Sequence, residues 1–401
     1  MSKWHSLTLR DLVTLQRGHD LTAQERVVGQ VPVLGAAGHN GYHNTALARG
    51  PGIVMGRSGG SFGQVHFSEV DFWPHNTALY VTDFKGNDPR FAYYILKTLN
   101  FDSYNSGSAQ PSLNRNFIYP IKIRVPQPDE QSAIAAVLSA LDAKIELNQR
   151  INAELEGMAK LLYDYWFVQF DFPISADQAA AMGKPRLAGK PYRSSGGKMT
   201  YHPDLKREIP DVWEGGSFGE IADNFRDGID PKHVDESTPY VGLEHIERQN
   251  FSLWRWGLSG DVDSQKSRFQ SGDFLFGKLR PYFHKVCQTP FDGICSTDIL
   301  VIRAKDPKYQ GLVGSQIFES DFVAHTTKHS SGTQMPRANW SAMSDYPITI
   351  PDDGTLEAFN EHMKPLASKR NNSALENQEL TALRDWLLPM LMNGQVRVDH
   401  K

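Results

Sequence analysis

The spacing of apolar and polar residues from Pro126 to Val168 predicts one long helix. Pro126 and Pro128 end the strand pattern before it, and Asp129 and Glu130 place negative charge at the helix start, where the helix dipole favours it. Apolar or amide side chains then recur at alternating spacings of four and three: Ile134, Leu138, Leu141, Ile145, Asn148, Asn152, Leu155, Ala159, Leu162 and Trp166. This is a heptad seam, on a helix that would be roughly 58 Å long. It faces either an ordinary core or a partner helix.

The same order of predicted strands and helices occurs twice in the chain. Short β-type runs punctuated by glycine occupy 31–38, 52–56, 76–82 and 118–125, and a helix is predicted over Arg90–Leu99. The runs TPYVGLEHI, DFLFGKL, STDILVIR and DYPITIP repeat this order between residues 211 and 350, and a second helical segment follows them. The sequence therefore predicts a duplicated unit, each copy a globular α/β (α+β) domain followed by a long helix.

Individual residues support the duplication. The offset between matching positions is 207 at Pro32/Pro239, 221 at Gly56/Gly277, 220 at Thr77/Thr297, 218 at Asp88/Asp306 and 225 at Ser106/Ser331. It stays at 225 in the helices, where seam residues of the first helix match these of the second: Met363, Leu366, Asn377, Leu380 and Leu387. The offset changes only where loops would lie, which is what a duplication with divergent loops predicts.

The repeat divides the chain into five segments. These are a first recognition-type domain (1–125), a first long helix (126–170), a linker (171–210), a second domain (211–350) and a second long helix (351–396). The linker is rich in Pro and Gly and is predicted to form turns rather than an element, with Tyr192 and Tyr201 docking on a neighbour. Pro365 lies inside the second helical pattern, so we expect a kink or a late helix start there.

A helix with one apolar stripe needs a partner, and the other copy's helix is the obvious one. We expect the two helices to pair antiparallel as a coiled-coil-like rod that separates two pseudo-symmetric domains. Asn148, Asn152 and Asn377 would then lie in the seam, where polar residues reduce stability but fix register. The alternative is that these asparagines mark an exposed helix face. Two similar domains on one pseudo-twofold axis suit a target with two separated sites, of which bipartite DNA is an example.

Composition narrows the class of protein. The 401 residues carry a net charge of −4 and the isoelectric point is near 6.4, unlike a free-standing nucleic-acid binder, so phosphate contacts would come from local patches or partner subunits. Cys287 and Cys295 are too few for a disulfide framework or a four-thiolate metal site. No signal peptide or membrane span is evident, and we expect a protein of a reducing cytoplasm.

Several motifs together resemble the specificity (S) subunits of type I restriction–modification systems, the HsdS family. The first helix carries the family's opening, with Glu130-Gln131 and Leu141-Asp142, and the second ends in ELTALRDWLLPMLMNGQVRV. The stretches GHNGYHN, GIVMGRSGGSFGQVHF and FWPHNTALYV resemble one type of its target-recognition domain. The second helix starts with PDDG and lacks the Glu-Gln pair, so the resemblance is weaker there.

The resemblance implies a non-catalytic DNA-reading subunit, a member of a DNA methylation and restriction complex. Each domain would read one half of a bipartite double-stranded site, and the paired helices would set an unread spacer and dock two modification (methyltransferase) subunits. No cofactor is expected in this chain. S-adenosylmethionine would belong to the modification subunits, and ATP and Mg would belong to the restriction (motor-nuclease) subunits.

The candidate DNA contacts of the first domain are loop residues. His39, Asn40, Tyr42 and His43 follow the strand at 31–35, and Arg57, Ser58 and Ser61 follow the strand at 52–56. Arg57 would reach a guanine edge or a phosphate, whereas the other reading of GRSGGSFG is a structural turn. The two histidines lack a third ligand type nearby, so we expect no metal. The loops 106–116 and 328–339 either face DNA or are simple turns.

The second domain repeats these positions with different chemistry. His245 and Arg248 correspond to the first loop, and basic and aromatic residues alternate in the second: Lys278, Arg280, Tyr282, His284 and Lys285. Two domains that read different sequences should differ in this way.

Two rival functions remain open at this point. A self-sufficient DNA methyltransferase or nuclease is disfavoured because the chain contains no NPP[YF] or DPP[YF] tetrad, and no Pro-Asp pair has a convincing acidic-x-Lys partner. The other rival is a scaffold that bridges two proteins through its pseudo-symmetric domains and never reads DNA.

Overall fold

The computed structural model of the protein describes residues 4–107, 110–332 and 334–398. Two compact units account for the chain: the first comprises residues up to Lys144 and from Leu380 onward, and the second comprises Ile145–Glu379. Of the two loops predicted at 106–116 and 328–339, Ser108, Ala109 and Thr333 lie outside the described residues. None of the helices in the described part of the chain is long and apolar enough to cross a bilayer.

The first unit contains nine strands and three short helices among its described residues. The strands are β1 (His5–Thr8), β2 (Thr14–Arg17), β3 (Val31–Gly35), β4 (Gly38–His43), β5 (Gly52–Gly56), β6 (Val65–Ser68), β7 (Trp73–Pro74), β8 (Ala78–Asp83) and β9 (Lys122–Val125). The helices are α1 (Leu9–Leu12), α2 (Pro89–Thr98) and α3 (Arg115–Ile118), followed by the start of the long helix α4 (Pro128–Tyr163).

The strands of this unit form three sheets. They have the orders β2-β8-β5-β6, β4-β3-β7 and β1-β9, and only the β3–β7 pair is parallel among the named pairs. The core packs Ile53 and Phe91 against Ile134 and Leu138 of α4, and against Leu391 from the chain's C-terminal segment, all essentially buried. The apolar seam of α4 therefore supplies part of the core that holds this unit together.

The second unit is larger. Its strands are β10 (Met199–His202), β11 (Arg207–Pro210), β12 (Glu214–Ser217), β13 (Ala222–Phe225), β14 (Gly228–Ile229), β15 (Pro239–Val241), β16 (Gly257–Leu258), β17 (Lys266–Phe269), β18 (Phe274–Gly277), β19 (Val286–Gln288), β20 (Gly293–Ser296), β21 (Ile299–Ala304) and β22 (Pro347–Ile350). Its helices are α5 (Ala176–Ala181), α6 (Phe218–Ile221), α7 (Gln310–Phe318), α8 (Ser320–Lys328), α9 (Trp340–Ser344) and the first part of α10 (Asp353–Met392).

The sheets of the second unit repeat those of the first. The order β13-β21-β18-β19 corresponds to β2-β8-β5-β6, and β12-β22 corresponds to β1-β9. Asp88 and Asp306 both cap the helix that follows, each by accepting the N–H two residues on, at 2.9 and 2.8 Å. Between this cap and Ser331 the offset rises from 218 to 225, and α8 lies in that interval. The predicted α/β (α+β) class with an internal repeat is confirmed.

Both long helices cross the boundary between the units. In the second unit, Asn148 of α4 contacts Asn377 of α10, and Asn152 contacts Arg370, so the two helices are antiparallel there, as predicted. The second helix begins at Asp353 and continues through Pro365, so the late start proposed for it is wrong. The missing amide of proline removes one hydrogen bond, and packing of the surrounding turns sustains the helix.

The three seam asparagines are buried rather than exposed. The Asn148 Nδ2 group donates to Asn377 Oδ1 at 2.8 Å and to Glu376 Oε2 at 2.7 Å, and Asn377 Nδ2 donates to the Ile145 carbonyl at 3.1 Å. Asn152 Nδ2 donates to the Arg370 carbonyl at 2.9 Å and to Ser252 Oγ at 3.1 Å. The three Nδ2 groups each find their acceptors at one relative position of the helices, which is the geometry a register-fixing residue requires, whereas the buried Asn152 Oδ1 has no hydrogen-bond partner.

The segment at 171–210 contains more structure than its Pro and Gly content predicted. It forms α5 and the β10–β11 hairpin, and Tyr192 stacks on Phe172 with ring centroids 4.7 Å apart. Tyr192 is buried as expected, whereas Tyr201 is exposed, contrary to the expected docking. Cys287 and Cys295 are free and buried, as befits apolar fillers, and burial raises the pKa of both thiols.

Candidate nucleic-acid interface

Three chain segments of the first unit meet at Arg57, directly after β5. The Arg57 N–H donates to the Thr77 carbonyl at 2.9 Å, and the Arg57 carbonyl accepts the Leu113 N–H at 2.7 Å. The Ser106 N–H donates to the Ser112 carbonyl at 2.9 Å, which closes the loop that leads to Leu113. We call this arrangement the first hub. It joins the three segments through main-chain hydrogen bonds, which do not depend on the identity of the side chains.

The second unit contains the same arrangement at Lys278, directly after β18. The Lys278 N–H donates to the Asp298 carbonyl at 2.8 Å, and the Lys278 carbonyl accepts the Ala338 N–H at 2.8 Å. The Ser331 N–H donates to the Arg337 carbonyl at 3.0 Å, as Ser106 does in the first unit. We call this the second hub. Asp298 holds the position in the second hub that Thr77 holds in the first, an offset of 221. The sequence match of Thr77 with Thr297 was therefore wrong by one residue.

A glycine before each hub lets a third loop approach closely. A Cβ at Gly56 would lie 1.9 Å from the Ser61 carbonyl oxygen and 2.9 Å from that of Ala36. A Cβ at Gly277 would lie 3.1 Å from the Leu243 side chain. Ala36 and Leu243 are themselves related by the offset of 207. The loop after β3 or β15 therefore adjoins the hub in each unit, so each unit gathers all three predicted loops at one place.

The predicted polar loop at 39–44 of the first unit is mostly a strand. Gly38–His43 is β4, paired with β3 through a tight turn at Ala36 and Ala37. The chain reverses just before these residues, and Gly38 adopts φ +87° there. His39, Asn40 and Tyr42 are exposed on this strand, and the ring centroids of His39 and Tyr42 are 4.7 Å apart.

His43 has a structural role instead. It is only 6 % exposed, its Nδ1 accepts the Val27 N–H at 3.1 Å, and its ring packs edge-on against Trp73 with centroids 5.1 Å apart. A side chain held this way is not available at the surface. We therefore leave His43 out of the interface proposed below.

The first unit places more cationic side chains near these loops than the sequence suggested. Burial, with a smaller contribution from the nearby Arg17 charge, lowers the pKa of Arg57. The Arg57 Nε is buried and has no hydrogen-bond partner. Arg26 reaches the strand of candidate residues, where its Nη1 donates to the Asn40 carbonyl at 2.5 Å. Only the folded chain places Arg17 and Arg26 beside these loops, because they are distant in sequence. Ser58 and Ser61 are half-buried on the turn after Arg57.

Arginines and an aromatic ring build the second unit's loop. The Arg248 guanidinium lies 3.7 Å from the centre of the Phe283 ring, and that of Arg280 lies 6.0 Å away. Arg280 and His284 both adopt left-handed φ, at 52° and 50°, on either side of the 3₁₀ turn Pro281–Phe283. Such residues cost on the order of 1 kcal/mol each and commonly mark functional loops.

The remaining candidates of this unit differ in exposure. Tyr282 is 51 % exposed, whereas His284 is 7 % exposed and packs on Phe318, so His284 is also left out of the proposed interface. The Lys285 Nζ donates to the Leu243 carbonyl at 2.5 Å, and burial lowers its pKa, helped by the charges of Arg248 and Arg255. Arg255, which the sequence did not single out, therefore belongs to the same cationic cluster.

His245 is tied to its own loop. Its Nδ1 accepts the Gly242 N–H at 2.9 Å, and burial is the main cause that lowers its pKa. Glu244 and Glu247 also lie near this cluster, since their charges act on Lys285. The second hub therefore presents a mixed surface in which the cations are more numerous.

The long helices carry a second apolar stripe that faces solvent. On α4 in the second unit, Met158 and Leu161 are 55 % and 70 % exposed. On α10 in the first unit, Leu383 and Trp386 are 43 % and 55 % exposed. The offset of 225 relates Met158 to Leu383 and Leu161 to Trp386, so each unit exposes the same pair of positions. We call these pairs the helix patches. Neither pair belongs to the heptad seam that the sequence predicted, so the seam pattern gave no sign of them.

Among the described residues, no group of three or more His, Cys, Asp or Glu is placed to hold a metal. Cations and hydrogen-bond donors on loops outnumber the carboxylates at the hubs, which suits recognition of a polyanion.

Comparison with known proteins agrees with the architecture. A domain family described as "Type I restriction modification DNA specificity domain" matches residues 1–157. The chain is 25 % identical over 328 residues to the type I restriction enzyme MjaIX specificity subunit of Methanocaldococcus jannaschii, covering 77 % of this chain and 69 % of that protein. It is 24 % identical over 281 residues to the EcoDI specificity subunit of Escherichia coli, covering 65 % of this chain and 59 % of that protein.

A solved structure shares the fold across the whole chain. The S subunit of a type I restriction–modification system from M. genitalium superposes with a TM-score of 0.61 at 14 % identity, covering 100 % of this chain and 97 % of that one. At this level of identity the similarity concerns the fold.

Proposed function

We propose, because this chain belongs to the family of type I restriction–modification specificity subunits, that it is the non-catalytic subunit that reads a bipartite double-stranded DNA site. Each unit reads one half-site through the loops gathered at its hub. The observation that carries this proposal is the duplicated hub: the same backbone hydrogen bonds recur at Arg57 and Lys278, while the side chains around them differ. A backbone arrangement that is repeated in both units and carries different side chains is suited to reading two different DNA sequences.

The chemistry of the loops fits a DNA groove. In the first unit, Arg57 is a half-buried arginine whose Nε has no hydrogen-bond partner, and Asn40 and Tyr42 are exposed on β4. In the second unit, Arg248 and Arg280 lie near the Phe283 ring, which restricts their side chains before binding. Side chains that are already ordered lose less conformational entropy when they bind a partner. Arginine and asparagine are the residues that read guanine and adenine edges. With a net charge of −4 on the chain, we expect the phosphate contacts to come from the local cationic clusters at the hubs and from partner subunits.

Matched variants test the assignment of each half-site. In a host whose DNA methylation depends on this chain, Arg57→Ala should relax or abolish one half of the methylated motif, and Lys278→Ala should affect only the other half. The control is Lys122→Ala, an exposed cation of β9 outside the first hub, which should leave the motif unchanged. Loss of a base contact costs about 1–3 kcal/mol and relaxes specificity at one position. Loss of a phosphate contact lowers the affinity for every sequence and reduces the salt dependence of binding.

The proposal fails if the methylome is the same with and without the gene. It also fails if Arg57→Ala and Lys278→Ala alter the same half-site, since the two hubs would then not read separately. Exchanging residues 211–350 for another such domain should alter one half-site alone.

We propose that the helix patches dock two modification subunits, which carry S-adenosylmethionine. Exposed apolar side chains one helical turn apart, rimmed by polar residues, are a feature of protein interaction sites. Their equivalence under the repeat argues for two copies of one partner, because equivalent surfaces accept identical molecules. Restriction subunits, which use ATP and Mg, would join this assembly.

Native mass spectrometry of the assembled complex tests the docking. Leu161→Glu should remove one modification subunit, Trp386→Glu should remove the other, and the double variant should remove both. Gln149→Glu, which places the same charge at an exposed polar position of α4, should leave the stoichiometry unchanged. Full occupancy in the double variant would locate the docking surface elsewhere.

A further inference from the structure

The second unit contains a cavity of about 200 Å³ between its parts of the two long helices and α7. Its walls are largely apolar and include Phe274 and Phe318. Ala159 of α4 and Ala367 of α10 line it, together with Gly311 of α7. Cavities of roughly 150 Å³ with apolar walls hold a benzene-sized molecule. The space is therefore large enough for a small ring or a short alkyl chain.

The positions that line this cavity carry larger side chains in the first unit. The offsets of 225 and 218 relate Ala159 to Arg384, Ala367 to Asp142, and Gly311 to Tyr93. In the first unit, Arg384 Nη1 pairs with Asp142 Oδ1 at 2.9 Å. The Tyr93 ring packs on Tyr94, with centroids 5.0 Å apart, and Tyr94 donates to Asp142. Three side chains that fill the first unit are thus replaced by Ala, Ala and Gly in the second.

One wall residue of the cavity is a buried cation. Arg370 is 5 % exposed, its Nε has no hydrogen-bond partner, and its Nη2 donates to Gln288 Oε1 at 2.5 Å. Its guanidinium also lies 4.5 Å from the centre of the Phe251 ring. Burial lowers the pKa of Arg370 to about 10. The nearby Glu156 carboxylate opposes this effect only in part, so the buried charge is incompletely compensated.

The carboxylates of the wall are already engaged. Glu156 accepts the Ser252 hydroxyl at 2.6 Å and the Phe251 N–H at 3.3 Å, and Glu319 accepts Lys160 Nζ at 3.0 Å. Three cations and two carboxylates line the cavity, so the wall carries one positive charge in excess. This excess favours an anionic ligand over a cationic one.

We propose that this cavity binds a small carboxylate, whose apolar part lies among Ala159, Ala367 and Gly311 and whose anionic group pairs with Arg370. Because both long helices form the wall, the bound molecule adds contacts between them and stabilises the second unit. The site is independent of the hubs and the helix patches, so its test does not depend on DNA reading.

Benzoate is the probe, with toluene as the uncharged match, on the full chain. Benzoate should raise the thermal midpoint in a saturable way and bind more tightly than toluene. Ala367→Leu fills the space and should abolish binding of both, while leaving the chain folded and at least as stable. Arg370→Met should weaken benzoate by at least about tenfold, since a charge-assisted pair is lost, and should leave toluene binding in place.

Three outcomes would overturn the proposal. One is the absence of benzoate binding to the wild-type chain. Another is unchanged benzoate binding in Ala367→Leu, which would place the ligand elsewhere. The third is equal affinity for benzoate and toluene in the wild type, which would remove the role of Arg370 without relying on a variant.

Discussion

The buried amides between the long helices give a quantitative prediction. In Asn377→Leu, one proton of the buried Asn148 Nδ2 group loses the acceptor that it holds at 2.8 Å. A buried donor left without its partner costs about 1–3 kcal/mol. Asn148→Leu should cost a similar amount, because it leaves the Asn377 Oδ1 without its donor. For a unit of this size the thermal midpoint should fall by about 2–4 °C per kcal/mol.

The double variant Asn148→Leu/Asn377→Leu removes both partners at once. Two apolar side chains then face each other, so the double variant should regain most of the lost stability, although Glu376 Oε2 and the Ile145 carbonyl still lose a donor. The coupling energy of the cycle should exceed about 1 kcal/mol. The double variant should also lose register fixation, which would appear as mixed spacer lengths in the methylated motif.

Urea denaturation, followed by hydrogen exchange of the helix peptides, measures these energies. The matched control is Asn372→Leu, the same change at an exposed position of α10, which should alter the free energy of unfolding by less than about 0.5 kcal/mol. If the singles cost no more than this control, or if the double costs the sum of the two singles, the amide contact is not what stabilises this register.

Three further predictions concern the spacer, the first hub and pH. Inserting seven residues at matching points of both long helices should lengthen the unread spacer by about 10 Å, or about three base pairs, with both half-sites unchanged in the methylome. Gly56→Ala should destabilise the first unit by about 1–3 kcal/mol in thermal denaturation, because its Cβ would meet the carbonyl oxygen of Ser61, whereas Gly60→Ala, which meets open space, should be neutral. Burial lowers the pKa of His245 and His284, so the unfolded chain binds more protons. Their contribution to stability should be complete above about pH 6.5 and lost as the pH falls below it, and His284→Gln should reduce this dependence.

The sequence by itself determined the duplication, the long helices and their polar seam. These features depend on local periodicity and on residues that are repeated in order, and both are visible in the amino-acid sequence itself. The heptad spacing placed Asn148, Asn152 and Asn377 in one stripe, and all three are buried between antiparallel helices. The strands that end at Gly56 and Gly277 could likewise be matched from the sequence, because a basic residue follows the glycine in both copies of the repeat.

Only the tertiary structure decided which side chains remain accessible and where space is left. His43 and His284 looked like loop residues, but each is buried by an aromatic neighbour that is distant in sequence. Arg17 joins Arg57 only because β2 and β5 both pair with β8. The exposed pair on each helix and the cavity beside Arg370 depend on which neighbours are small or absent. Such facts arise from packing between distant segments, which no periodicity along the chain encodes.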